Sequence, residues 1–121
     1  MNPTIHIKRI YAGAAKSDGI RILIDRLWPR GIKKEAARLA EWAKDIAPST
    51  ELREWYGHDP DRWPEFKKRY KAELKNNEAA NTFIEKHQQE KTLTLLYATK
   101  DEEHAHAIVL KEWLDHEFTQ R

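Results

Sequence analysis

The clearest pattern along the chain is a set of short apolar runs, each followed by a charged turn. Ile5 and Ile7 alternate with His6 and Lys8, which predicts a first strand over Thr4–Tyr11. Ile20, Ile22, Leu23 and Ile24 form a short, β-branched, nearly continuous run and predict a second strand. The chain is organised around this run, because Asp25, Arg26, Trp28, Pro29, Arg30 and Gly31 follow it directly. Pro29 removes a backbone donor and Gly31 permits a tight turn, so the strand must end here. Thr92–Ala98, TLTLLYA, is apolar on both faces, as a central parallel strand should be.

Between these runs the spacing changes to helical. A short helix is expected over Lys33–Arg38. Leu39–Ala47 fits either a helix or a strand and reads only as a short buried segment. Ser49 or Thr50 can cap a helix over Glu51–Tyr56, and Gly57 can stop it. Asp61 can cap the next helix with Pro64 in its first turn. Trp63, Phe66, Tyr70 and Leu74 then form an apolar stripe. Asn76-Asn77 breaks it before a helix from Glu78 to Gln88. Asp101 is placed to cap a last helix, Glu102 to Phe118. Strands mixed with helical connections predict one α/β domain over residues 1–121: a small layered fold with a short, mostly parallel sheet flanked by helices.

Composition narrows the function classes. Cys is absent, which excludes disulfides, thiolate metal sites and thiol catalysis and fits a reducing compartment. No run of about 18 apolar residues offers a membrane span, and the start, MNPTIHIKRIYAG, has no signal-peptide h-region. A cytoplasmic protein is expected. The formal charge of +2 hides an asymmetry. Residues 1–34 carry eight Lys/Arg against two Asp, net +6, and residues 35–121 carry 14 basic against 18 acidic residues, net −4. A basic quarter around the second strand suggests an anionic partner, although surface charge is often only a solvated rim.

In an open α/β sheet, ligands sit outside the carboxyl ends of the strands. If the second and last strands lie side by side and parallel, Asp25–Arg30 and Thr99–His106 meet in one crevice. Arg26 and Arg30 are then the sharpest ligand-binding candidates, since guanidinium groups suit phosphate and carboxylate. Lys100 and Asp101 lie at the opposite turn, with Asp101 reading first as a helix cap. Trp28 is set among charges, unlike the Trp residues in apolar stripes, and His58 belongs to a second polar cluster. Asp25 and His106 are the catalytic candidates, as base or Arg-orienting group and as proton carrier. Arg neighbours should lower the Asp25 pKa. His104 and His106 would point about 200° apart on a helix, so no metal site is expected unless the helix begins late. No glycine-rich phosphate loop or other cofactor signature is present.

Several pieces are shared with a known family. They are DRLWPRG at Asp25–Gly31, W-x-K-D-x-A-P-S at Trp42–Ser49, ELREWYGHDP with W-x-x-F at Glu51–Phe66, RYKAEL at Arg69–Leu74, and LLYATKDEEHAHAIVL at Leu95–Leu110. In these the chain resembles the YeaO-like group of a domain-of-unknown-function family of small bacterial and archaeal proteins. The resemblance implies a compact α/β domain and supplies no activity. The broader family often carries a Cys in the final strand and a Cys-His-Arg triplet opening the last helix. Here those places hold Tyr97 and Ala105-His106-Ala107, so a thiol mechanism does not carry over.

The leading expectation is a domain that binds a small anionic ligand, a nucleotide or phosphorylated metabolite, with hydrolysis or transfer as a further step through His106. Binding is better supported, because no complete nucleophile–base set is visible. Two alternatives are a nucleic-acid-binding module that uses the basic N-terminal region, and an assembly partner whose crevice is sealed by an Asp–Arg network.

Overall fold

The structure, a computed structural model, describes residues 2–121. Its centre is a four-stranded sheet, every neighbouring pair parallel, with strand order β1-β4-β2-β3. The strands are β1 (Thr4–Arg9), β2 (Ile20–Leu23), β3 (Glu41–Trp42) and β4 (Thr92–Tyr97). The helices are α1 (Lys34–Ala37), α2 (Thr50–Tyr56), α3 (Trp63–Lys75), α4 (Glu78–His87) and α5 (His106–Gln120). The α/β class holds, and the sheet is wholly rather than mostly parallel.

The alternation of side chains across the sheet divides the core in two. Ile5, Ile22, Ile24, Leu93, Leu95 and Tyr97 face the large cluster formed with α2 to α5. Leu23 and Leu96 face the other way, onto Ile10 and Ala37, with Trp28 and Ile32 packed alongside. This second face also holds polar anchors. Buried Asp18 takes Lys8 from β1 at 3.0 Å and Arg21 from β2 at 2.5 Å, and its carbonyl accepts the Thr94 hydroxyl of β4 at 2.6 Å. One acid thus joins three strands.

Four local expectations are corrected. The first strand stops at Arg9, and Ile10–Ala12 curls into a 3-10 turn that carries Ile10 to the second face. Leu39–Ala47 is neither one helix nor one strand but the two-residue edge strand β3 and a 3-10 turn at Lys44–Ile46. Asp61 does not cap α3. Asp59 caps a preceding 3-10 turn, Pro60–Arg62, by accepting the Asp61 N–H. The last helix begins at His106 rather than Glu102, because the Asp101 carboxylate closes a turn on the Glu103 and His104 amides instead. Ser49 is the α2 cap, accepting from the Leu52 amide.

Candidate functional site

β2 and β4 are adjacent and parallel, with Ile22 opposite Leu95 and Leu23 opposite Leu96, so both chains emerge at the same rim. After β4 the chain turns into α5, which packs toward β1; after β2 it runs outward through α1 to β3. The connections diverge between these two strands, the kind of place where α/β sheets open a crevice. A cavity of about 650 Å³ lies there.

The Asp25 carboxylate continues the ladder where β2 ends. Ile24 still donates its N–H to Leu96 O at 3.0 Å; one step on, Asp25 Oδ2 accepts the Ala98 N–H at 3.1 Å. His106, the first residue of α5, donates from Nε2 to Ile24 O at 2.9 Å and lies 3.4 Å from Asp25 Oδ1. Because Ile24 O can only accept, Nε2 is the ring nitrogen that carries a proton in this contact. Among the described residues, Asp25 Oδ1 is buried without a hydrogen-bond partner. Burial pushes the Asp25 carboxyl above its ordinary pKa, against the pull of His106, the Ala98 amide and Arg53. The expected lowering by Arg neighbours is therefore overturned. Arg26 borders the cavity but is tied to backbone: Nε donates to Pro48 O and Nη2 to Ala47 O, each at 3.2 Å.

The rim is tied by side chains that bond to backbone. Trp28 donates to Ile32 O at 2.7 Å and meets Trp42 edge to face at 5.3 Å; Trp42 donates to Asp25 O at 2.7 Å. Tyr11 donates its hydroxyl to Arg30 O at 2.7 Å. Arg9 reaches across to Thr99 O and Ala98 O, both at 2.9 Å.

Of the predicted site residues, Asp25, Arg26, Trp28, Arg30, Lys100 and His106 line the cavity, and His58 joins them. His58 is exposed and holds a left-handed backbone, φ 57°, directly after Gly57 at φ 54°. Asp101 is outside the lining. Its Oδ2 lies 2.8 Å from His104 Nδ1, and this bond with His104 leads the lowering of the Asp101 pKa. Asp101 therefore shapes the turn that delivers His104. Because α5 begins late, both His104 and His106 reach the cavity. Among the described residues, no group of three or more His, Cys, Asp or Glu could hold a metal ion.

Sequence reasoning missed Arg53, Tyr56 and Phe66, which also line the cavity. Arg53 and Tyr56 are three apart on α2 and so share a face, a signal available in ELREWYG. Tyr56 stacks on Phe66 at 4.4 Å between centroids, and both rings are almost completely buried. Burial, then Asp101 and Asp59, raise the Tyr56 pKa, so the phenol stays a donor.

Four cationic side chains (Arg26, Arg30, Arg53 and Lys100) meet one carboxylate at this cavity. Among the described residues none of the four has a carboxylate within 4.0 Å. Asp25 lies against His106 instead, so among the described residues no Asp–Arg network seals the crevice.

Comparison with known proteins gives the same outline. A family model described as the inactive DUF488-N3 subclade matches residues 4–121. The uncharacterized protein YeaO of Escherichia coli is 46% identical over 110 residues, covering 91% of this chain and 96% of that protein. Uncharacterized proteins of Mycobacterium bovis and Mycobacterium tuberculosis are 41% identical over 111 residues, covering 92% of this chain and 93% of theirs. No solved structure gives a significant match. No described helix is long and apolar enough to cross a membrane.

Proposed function

The chain belongs to the inactive DUF488-N3 subclade, and on that premise we propose that it is a cytoplasmic protein that binds a small anionic ligand in the cavity at the carboxyl ends of β2 and β4. One observation carries the reading: four cations without carboxylate partners line a cavity that holds a single carboxylate. Such a site attracts and retains an anion, and its guanidinium groups suit paired oxygens. Binding rather than turnover is the function. The subclade is described as inactive, and the places where the resemblance implies that relatives often carry cysteine hold Tyr97, buried in the core, and Ala105. The Asp25–His106 pair then fixes the rim and can hold a proton, with no thiol for it to activate.

The fate of the basic N-terminal quarter favours a small ligand over nucleic acid. Lys8 and Arg21 are spent on Asp18, Arg9 and Arg26 on two carbonyls each, and Arg30 lines the cavity. Five of the eight basic side chains are thus committed, which leaves Lys16, Lys33 and Lys34 exposed for a phosphate backbone to meet.

Thermal denaturation against phosphate monoesters and carboxylates, read beside Arg30→Ala and Lys100→Ala, tests the proposal. Ligand at about a hundred times its Kd should stabilise the protein by roughly 2.7 kcal/mol. The response should shrink in both variants. No response to any anion, or responses unchanged by both substitutions, refutes it.

A further inference from the structure

From the walls of the same cavity we infer that its ligand is a phosphate monoester with a flat aromatic body, of the nucleoside monophosphate class. This rests on the anion-binding reading above and narrows it.

Size is the first argument. The cavity measures about 650 Å³. A water takes about 30 Å³ of liquid volume, so a bare oxyanion fills only a small part of it. The volume falls within the range that holds ligands of tens of atoms. The second argument is the chemistry of the walls. Arg30 and Lys100 come from the turns after β2 and β4, while the corner between α2 and α3 supplies Tyr56, His58 and Phe66. Tyr56 and Phe66 are stacked and buried, so these rings are already ordered before anything binds. His58 lies 6.2 Å from Tyr56, and His104 stands edge-on to Trp63 at 5.3 Å. Tyr56 and Phe66 thus back the wall rigidly, and the exposed His58 ring beside them is the face left for a flat ring to meet.

The third argument is the backbone at His58. A non-glycine residue at φ 57° costs energy. Holding that cost at the cavity edge, on a side chain with no hydrogen bond or ion pair among the described residues, is consistent with a contact that forms only when ligand arrives. Charge sets the other end. Cations from three separate segments suit a compact, multiply charged group such as a phosphate monoester better than a lone carboxylate.

Calorimetry with the full chain separates the parts. The probes are adenosine 5′-monophosphate, ribose 5-phosphate, adenosine, inorganic phosphate and a short 5′-phosphorylated oligonucleotide. The expected order puts the monophosphate roughly tenfold tighter than ribose 5-phosphate, the size of one stacked ring. Arg30→Ala should weaken both phosphates and leave adenosine unchanged. His58→Ala should weaken the monophosphate and adenosine and leave ribose 5-phosphate unchanged. Both residues are exposed, so folding should survive, and the circular dichroism spectrum checks it. Equal affinities for the monophosphate and ribose 5-phosphate, both sensitive to Arg30, overturn the aromatic body while the anion site stands. No binding by any phosphate overturns the anion site and this inference together. Tighter binding of the oligonucleotide than of the monophosphate overturns the free nucleotide and points to a nucleic-acid end.

Discussion

Asp18→Ala is the substitution whose cost follows most directly from the geometry. The Asp18 and Arg21 side chains are only 8% and 5% exposed and 2.5 Å apart. Removing the acid leaves a buried guanidinium whose remaining bond is Nε–H to Ala37 O. An uncompensated buried charge costs about 3–5 kcal/mol. The Lys8 pair, 24% exposed on its lysine side, adds at most about 1 kcal/mol. Unfolding entropy is about 2.1 cal/mol/K per residue, so for a chain of 121 residues each kcal/mol moves Tm by about 4 °C and the expected fall is roughly 12–24 °C. Adding Arg21→Met should restore most of the loss, because an apolar side chain needs no counter-charge. The pH dependence fixes the sign. Burial pushes the Asp18 carboxyl up, but the Ala15 amide, Lys8 and Arg21 more than reverse it, leaving the folded pKa below the ordinary aspartate value. A depressed carboxyl contributes stability above its unfolded pKa and loses it as pH falls through the folded one. The gap between wild type and Asp18→Ala should therefore be full at neutral pH and close in acid. Urea unfolding across pH measures it. A loss under about 1 kcal/mol at pH 7, or a double variant no more stable than the single, refutes the account.

Three further outcomes follow from other parts of the structure. Gly19→Ala should cost more than about 2 kcal/mol in chemical denaturation, since φ is 64° and the new Cβ would lie 2.5 Å from Thr92 O. The Asp25 carboxyl should titrate above the ordinary aspartate value by carbon-detected NMR, and higher still in His106→Ala, because burial raises it and His106 opposes the rise. Arg26→Ala should cost about 1–3 kcal/mol by leaving two carbonyls without its bonds, a loss seen in urea unfolding even without ligand.

Much of this arrangement is legible in the residues. Thr92–Tyr97 is apolar on both faces because it is central, and Ile20–Ile24 shows its partner strand. Two apolar strands ending in charged turns locate the cavity before any coordinates. The start of α5 is not legible, because an acid followed by amides two and three positions on serves a helix cap and an Asx turn alike. β3 hides for another reason. A strand of two residues at a sheet edge, with Trp42 37% exposed, leaves no period to read. Arg53 was concealed by its setting, since on a seven-residue helix a basic residue beside two glutamates reads as solvated surface. The sign of the Asp25 shift is set by burial, which outweighs His106, the Ala98 amide and Arg53, and the depth of burial after the strand end is not legible in sequence.

The polar residues around the cavity divide by what they already bond. Parallel strands that end at a rim leave amides and carbonyls that need partners. Asp25 serves Ala98 N, His106 serves Ile24 O, and Arg9 serves Ala98 O and Thr99 O. Arg26, Trp28 and Tyr11 serve carbonyls on the neighbouring segments. Most of the charged motif after β2 is thereby used in building the rim. Arg30, Arg53, Lys100 and His58 remain, exposed and, among the described residues, without a side-chain hydrogen bond or ion pair. A side chain bonded within the fold resists removal through stability; a free one at a cavity can matter only through what it meets. Substituting the second group should thus leave stability within about 0.5 kcal/mol and change binding, whereas substituting the first should change stability whether or not a ligand is present. That contrast separates a rim that holds itself together from a site that waits for an anion.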